Sequence, residues 1–159
     1  MKNKLYLCLF GCGKTYFCKQ SAKWLDFDVG TREKPLASPS LLNVSLHKQT
    51  IDTPNAVMNI SDLSLDLLIQ YNLKLYFDIK IILPENTTEM KQEILERVSL
   101  RPDHDTAFID YAEANYDSIY ALADTLEYPK IYLKSGQYLA DIIDEDGKPK
   151  PGVIIIYIL

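Results

Sequence analysis

The sequence is poor in the residues from which metal centres and disulfide frameworks are built. It contains three cysteines and two histidines among 159 residues. Cys8, Cys12 and Cys18 lie within one short stretch, whereas His47 and His104 are far from them along the chain. A disulfide framework usually has an even set of cysteines spread through the sequence, and a structural zinc site usually has four ligands with paired spacing. We therefore expect neither, and we interpret the cysteines as reduced thiols of a cytoplasmic protein.

Long apolar runs and an excess of positive charge are absent as well. No run approaches the roughly 20 residues of a transmembrane helix. The apolar stretch 5–10 precedes Cys12 as in a lipoprotein signal, but it is shorter than the core of a secretion signal. The 17 basic and 22 acidic residues give a net charge of −5, which argues against general nucleic-acid binding. We expect no membrane and no nucleic-acid partner, although a small basic pocket for a phosphorylated metabolite is compatible with this charge.

What the sequence does contain is an alternation of apolar runs and amphipathic stretches. Its length, with 47% hydrophobic and 25% charged residues, fits one soluble globular domain over residues 1–159. Strands that alternate with helices predict an α/β fold, a three-layer sandwich with a mostly parallel central sheet. In such folds ligands bind at the carboxyl ends of the strands. The predicted strands are 4–10, 24–30, 74–84, 128–136 and 153–159, with 55–61 ambiguous, and the predicted helices are 14–23, 62–72, 86–100, 104–127 and 137–144.

Local signals mark the ends of some of these elements. Thr87 or Thr88 is expected to cap the helix that follows, and Asp62 the helix over 62–72. The terminal apolar run 153–159 is too short to cross a bilayer, and we interpret it as a buried strand.

The sequence has only six glycines, and two of them lie in the segment GCGKT, residues 11–15, directly after the first predicted strand. A phosphate-binding loop joins a strand to a helix in this way, because glycines let backbone N–H groups surround phosphate oxygens. The lysine then reaches the terminal phosphates, and the hydroxyl of the next residue holds Mg²⁺. The full pattern G-x-x-x-x-G-K-[ST] has its first glycine where Cys8 stands here. An ordinary tight turn between a strand and a helix is therefore the alternative interpretation.

Three stretches, residues 8–32, 76–101 and 128–143, resemble the small P-loop kinases of the nucleoside-monophosphate and shikimate kinase type. They resemble in particular the short, mostly phage- and prophage-encoded P-loop kinase-like proteins. The resemblance implies a P-loop NTPase fold of the nucleoside-monophosphate-kinase-like type, with a lid-like segment at about 85–103. It also implies a phosphotransferase that uses ATP and acts on a nucleoside or nucleotide. The ATP, with Mg²⁺ at the threonine, would bind to a loop formed by Gly11, Cys12, Gly13, Lys14 and Thr15.

Further site residues follow from the same resemblance. Asp26 and Asp28 stand where the family has acceptor-binding or base groups, and their spacing on a strand would point them the same way. Arg97 and Arg101, one helical turn apart, fall in the lid, where guanidinium groups can follow the charge of a transferring phosphoryl group. Arg32 is a candidate for an acceptor phosphate. The alternatives are a solvated strand end for the two aspartates and surface charges for the arginines.

Other motifs keep other functions open. Asp52-Thr53-Pro54 matches part of the Asp-Thr-Pro-Gly motif of GTPases, but Asn55 replaces the glycine, and no guanine-reading Asn-Lys-x-Asp motif follows. Asp78 ends a short apolar run and could serve as a magnesium-binding acid, although a position in the middle or at the edge of a strand is equally compatible. The competing functions are therefore a small kinase, a non-enzymatic nucleotide-binding or host-interaction protein of phage origin, and a divergent GTPase.

Overall fold

Five parallel strands form the central sheet of the protein in its computed structural model, which describes residues 2–21, 23–35 and 55–157. The strands lie where apolar runs predicted them, and the ambiguous segment 55–61 contributes one. Every neighbouring pair in the sheet is parallel, so the predicted α/β class is confirmed. The strands are β1 (Asn3–Cys8), β2 (Trp24–Phe27), β3 (Asn55–Asn59), β4 (Phe77–Pro84) and β5 (Lys130–Leu133).

Helices flank the sheet, and their starts are marked by side-chain caps. Thr87 caps the helix after β4, as predicted, by accepting a hydrogen bond from the backbone of Met90 at 3.1 Å. The predicted cap Asp62 is wrong, because Ser61 occupies the cap position and exchanges hydrogen bonds with Ser64. The helices are α1 (Lys14–Lys19), α2 (Asp62–Gln70), α3 (Thr88–Leu100), α4 (Thr106–Asp124) and α5 (Leu139–Ile142), with a 3₁₀ turn at Leu73–Leu75.

The order of the strands determines where a ligand could bind. The order is β2-β3-β1-β4-β5, so β1 lies at the centre, between β3 and β4. After β1 the chain turns through α1 towards β2, whereas after β4 it passes through α3 and α4 to β5 on the opposite side. In open α/β sheets a crevice lies where neighbouring strands send their connections in opposite directions. The segment directly after β1, which contains the two glycines, begins at this point.

A turn near the C-terminus is bound by side chains of the central strand β1 and the edge strand β2. The hydroxyl of Tyr6, which is 1% exposed, donates a hydrogen bond to the carbonyl oxygen of Gly147 at 2.5 Å. The indole N–H of Trp24 donates to the carbonyl oxygen of Glu145 at 2.7 Å. Since both aromatic residues belong to strands, these bonds hold the turn against β1 and β2.

The prediction of a buried terminal strand over 153–159 is wrong for the part of it that the structure describes. Residues up to 157 form a single antiparallel bridge, between Ile156 and Lys130 at the start of β5. Ile154 and Tyr157 are 68% and 61% exposed. The run is rich in β-branched residues, which favours a strand locally, but it lies along an edge rather than inside the sheet.

Candidate functional site: the loop after the central strand

The loop after β1 adopts backbone conformations that require glycine at two positions. Gly11 and Gly13 have φ values of 80° and 88°, in the left-handed region that other residues rarely adopt. A Cβ atom at Gly13 would lie 3.0 Å from Cδ1 of Tyr138, and one at Gly11 would lie 3.0 Å from Cγ2 of Ile94. Both the backbone conformation and the lack of space for a Cβ atom therefore favour glycine at these two positions. The predicted order of strand, turn and helix is confirmed.

The loop uses its carbonyl groups and leaves its amides available. The carbonyl oxygen of Gly11 accepts from Nη1 of Arg97 at 3.2 Å, and that of Cys12 accepts from the backbone N–H of Leu139 at 2.8 Å. By contrast, the successive backbone N–H groups of Phe10–Tyr16 have no acceptor among the described residues. The last three belong to the first turn of α1, where free amides are ordinary, but the others belong to the loop itself. Such a run of amides can bind an anion.

The run of amides includes that of a cationic residue, Lys14. Lys14, the first residue of α1, has its Nζ 3.8 Å from Oδ2 of Asp28, and its side chain is only 13% exposed. Asp28 is 43% exposed. The two meet although β2 is two strands away from β1, because α1 packs against β2. The structure thus brings together Lys14 and Asp28, which the sequence could only propose separately.

The second predicted carboxylate, Asp26, does not join this pair. The structure ends β2 at Phe27, so Asp28 lies just beyond the strand that contains Asp26, and the shared direction of their side chains stays a prediction. Asp26 is exposed, and its side chain makes no hydrogen bond or ion pair with residues that the structure describes. Burial, and next the charge of Asp26, raise the pKa of the Cys18 thiol to about 12.

Two polar side chains that the sequence did not single out hold the segment after Asp28. The side-chain oxygen of Asn59, at the end of β3, accepts from the backbone N–H of Val29 at 2.9 Å. Its amide nitrogen and the hydroxyl of Ser61 both donate to the carbonyl oxygen of Gly30, at 3.0 and 2.6 Å. A polar residue at the carboxyl end of a predicted strand is the signal that would have indicated Asn59.

The candidate Arg32 follows this segment and is bound by α2. Its Nε donates to Oδ2 of Asp66 at 2.7 Å, and its Nη2 contacts the same oxygen. Its backbone N–H donates to Oδ1 of Asp62 at 3.1 Å. The guanidinium group is 59% exposed, so an acceptor phosphate could reach it, but only in competition with Asp66.

The two arginines of the predicted lid lie in different surroundings. Arg97 contacts the loop through Gly11. Arg101 lies beyond the end of α3, in an extended conformation, and pairs with Asp103 at 2.7 Å. The two arginines have different partners, so the structure brings Arg97 but not Arg101 to the loop.

No protein-family model matches the chain, and no curated protein matches it. Among the described residues, no helix is long and apolar enough to span a membrane. The interpretation of the site therefore depends on its own geometry.

The remaining candidates lie elsewhere or outside the described residues. Asp78 is the second residue of β4, so it lies at the end of the sheet opposite the glycine loop, 3.1 Å from Nζ of Lys80. An open depression of about 440 Å³ lies at that same end and is lined partly by Asp78 and Tyr128. This depression therefore lies at the opposite end of the sheet from the glycine loop and is not part of the candidate site. The GTPase-like residues 52–54 lie outside the described residues.

The cysteines pack in the core around the loop. Cys8, in the position of the first glycine of the motif, is the last residue of β1 and is fully buried, as is Cys12. Burial raises the pKa of the Cys8 thiol well above its ordinary value, and that of Cys12 to about 12. All three cysteines are free, and the described residues contain no cluster of side chains that could hold a metal ion.

Proposed function

We propose that the protein is a small phosphotransferase that binds Mg²⁺–ATP at the loop formed by residues 11–15. The observation that carries this proposal is the run of amides over Phe10–Tyr16 that have no acceptor among the described residues, a run that includes the cationic residue Lys14. Amides and a lysine together match the chemistry of a polyphosphate, which has many acceptor oxygens and a high negative charge. The five-stranded parallel sheet is compatible with the nucleoside-monophosphate-kinase-like layout, although other α/β proteins share it.

Each residue near the loop has a proposed role. Lys14 binds the terminal phosphates, and the hydroxyl of Thr15, the second residue of α1, holds the Mg²⁺ ion that arrives with the nucleotide. Asp28 orients an acceptor hydroxyl or a water molecule on the magnesium ion. Arg32 binds a phosphate of the acceptor, for which we propose a nucleoside or nucleotide. Asp26 and Arg101 keep the catalytic roles that the resemblance implies only as predictions, since neither contacts the loop.

A second candidate function is nucleotide binding without turnover. It is favoured by the separation of the predicted catalytic residues, since Arg101 is held by Asp103 and Asp26 does not reach Lys14. A protein that binds a nucleotide at the loop and then a protein partner would need the amides and Lys14 but not the acceptor residues. For either function we propose a cytoplasmic location, because ATP is used there and the three cysteines are free thiols.

The test begins with binding and then measures turnover. Thermal unfolding and calorimetric titration with ATP, GTP and inorganic tripolyphosphate, each with Mg²⁺, should show binding of ATP and of tripolyphosphate, because the site recognises phosphates. A panel of nucleosides and nucleotides should then reveal release of ADP that depends on the acceptor. Binding without release of ADP for any acceptor supports the second candidate. If none of the three ligands binds, both candidates are refuted.

A further inference from the structure

The guanidinium group of Arg97 is bound to the outer side of the glycine loop. Its Nη1 donates to the carbonyl oxygens of Gly11 and Gln137, at 3.2 and 2.9 Å. Its Nη2 donates to Oε2 of Glu93 at 2.6 Å. Only 11% of the side chain is exposed. Arg97 therefore joins the loop after β1 to the segment before α5.

The flat face of the same guanidinium group is also covered. Its Cζ lies 3.9 Å from the centroid of the Tyr138 ring, which is a cation–π distance. This ring is the group that a Cβ atom at Gly13 would meet. Arg97 thus acts on both glycines of the loop, directly on Gly11 through a hydrogen bond and on Gly13 through the position of Tyr138.

Glu93 compensates the charge of Arg97 and is itself fully engaged. Its Oε1 accepts from the hydroxyl of Ser135 at 2.6 Å, and its Oε2 accepts from the backbone N–H of Gly136 at 2.9 Å, besides accepting from Arg97. Three of the five N–H groups of Arg97 donate to oxygens of Gly11, Gln137 and Glu93, and only 11% of the side chain is exposed, so little of the guanidinium group is open to a phosphoryl group. Direct contact between Arg97 and a transferring phosphoryl group is therefore disfavoured.

We infer that Arg97 is a positioning residue, which fixes the outward carbonyl group of Gly11 so that the adjacent amide of Cys12 faces a phosphate ligand. This inference rests on the proposed phosphate binding, and it replaces the role of a lid arginine that the resemblance implies. Carbonyl and amide directions are coupled through the planar peptide unit. A donor that fixes the carbonyl of Gly11 on one side therefore also fixes the adjacent amide on the other.

The experiment compares Arg97→Ala, Arg97→Lys and Glu93→Gln with a matched control, Lys91→Ala. Lys91 lies on the same helix, pairs with Asp117 at 3.0 Å and has its Nζ 5.6 Å from the centroid of the Tyr116 ring. The control therefore removes a cation with a carboxylate partner and an aromatic neighbour, but one that donates no hydrogen bond to the loop as the structure describes it. Two quantities are measured: amide hydrogen exchange in the ligand-free protein, and the affinity for magnesium tripolyphosphate at a temperature where every variant is folded.

We expect Arg97→Ala to accelerate exchange of the N–H groups of Phe17 and Leu139, which donate to the loop carbonyls of Gly13 and Cys12, without an equal change in β4 and α4. It should also weaken tripolyphosphate binding by roughly 10-fold to 100-fold, as for loss of a charge-assisted hydrogen bond. Arg97→Lys should recover part of the affinity, because an ammonium group can reach one carbonyl but lacks the planar fork. Glu93→Gln should also accelerate exchange and weaken tripolyphosphate binding, but less than Arg97→Ala does. It serves as the test if Arg97→Ala does not fold. Lys91→Ala should leave both unchanged.

Three results would overturn the inference. Weaker binding with unchanged exchange in the free protein would mean that Arg97 contacts the ligand itself. Faster exchange with unchanged affinity would mean that the ordering of the loop does not serve binding, and equal acceleration throughout the chain would indicate general destabilisation. If the unsubstituted protein does not bind tripolyphosphate, the proposed function fails. The exchange data would then still decide whether Arg97 orders the loop.

Discussion

Replacing Lys14 tests the phosphate site most directly, provided that the substitution preserves packing. The side chain is 13% exposed, so its methylene groups are largely buried against the surrounding core. Lys14→Ala would remove three of them and destabilise the fold by about 2 kcal/mol, at about 0.8 kcal/mol for each methylene. Lys14→Met keeps a chain of similar length and removes only the charge. Methionine is therefore the informative substitution.

The structure indicates how the loss of charge divides between stability and binding. The ion pair with Asp28 is long, at 3.8 Å, and Asp28 is 43% exposed, so water can solvate the carboxylate after the substitution. Loss of such a pair costs about 0–1 kcal/mol. A charged contact to a phosphate contributes about 1.5–3 kcal/mol, which corresponds to a roughly 10-fold to 150-fold weaker Kd. We therefore expect Lys14→Met to lose affinity while it remains folded.

Thermal unfolding with Mg²⁺–ATP measures this difference. At a ligand concentration of about 100 times Kd, binding stabilises the protein by about 2.7 kcal/mol, which raises Tm by about 5–11 °C for a chain of this size. A 100-fold weaker Kd at the same concentration leaves about 0.4 kcal/mol, or about 1 °C. Lys19→Met, on the exposed last turn of the same helix, is the matched control and should keep the full shift. If Lys14→Met keeps the full shift as well, the ligand binds elsewhere and the site is refuted.

Other consequences of the structure can be measured without a ligand. Tyr6→Phe leaves the Gly147 carbonyl without its donor at a buried position, so urea unfolding should show a loss of about 1–3 kcal/mol; an unchanged midpoint would contradict this contact. Hydrogen bonds from Ser135 and then Gly136 hold the pKa of Glu93 below its ordinary value of 4.5, so Glu93 stabilises the fold above that pH and the contribution disappears as pH falls through the lowered pKa. Glu93→Gln should therefore flatten the acid side of the stability profile, and a profile as steep as that of the parent would argue against it. The buried thiols of Cys8 and Cys12 should react with a thiol reagent only on unfolding, and fast reaction in the native protein would show that they are accessible.

The sequence predicted the elements well where local signals and burial agree. The apolar run of β4 and the cap at Thr87 each specify an element by themselves, and both are confirmed. The terminal run 153–159 fails for a physical reason, since β-branched residues favour an extended chain but do not determine whether a place in the sheet is free. Only the tertiary structure shows that the run meets β5 at a single bridge.

For the candidate site, too, the sequence predicted the residues that follow one another in the chain but not the contacts between distant segments. The strand, the two glycines and Lys14 follow one another in the chain, so a motif can identify them. The sequence predicts a strand as far as residue 30, whereas β2 ends at Phe27, and Arg101 lies one residue beyond the end of α3 at Leu100. Ends of helices and strands depend on capping and packing, which spacing along the sequence does not show.

The groups that surround the loop come from distant parts of the chain, and this affects how the motif should be interpreted. Arg97 lies more than eighty residues after Gly11, and Leu139, whose N–H binds the carbonyl oxygen of Cys12, lies still further on. A Gly-Lys-Thr segment in an unrelated turn would have neither contact. What distinguishes this loop from an ordinary turn is therefore the set of donors on its outer side, because they occupy the carbonyl groups and leave the amides for a ligand. Substitutions at those outer donors, and not only at Lys14, should decide whether the loop binds phosphate.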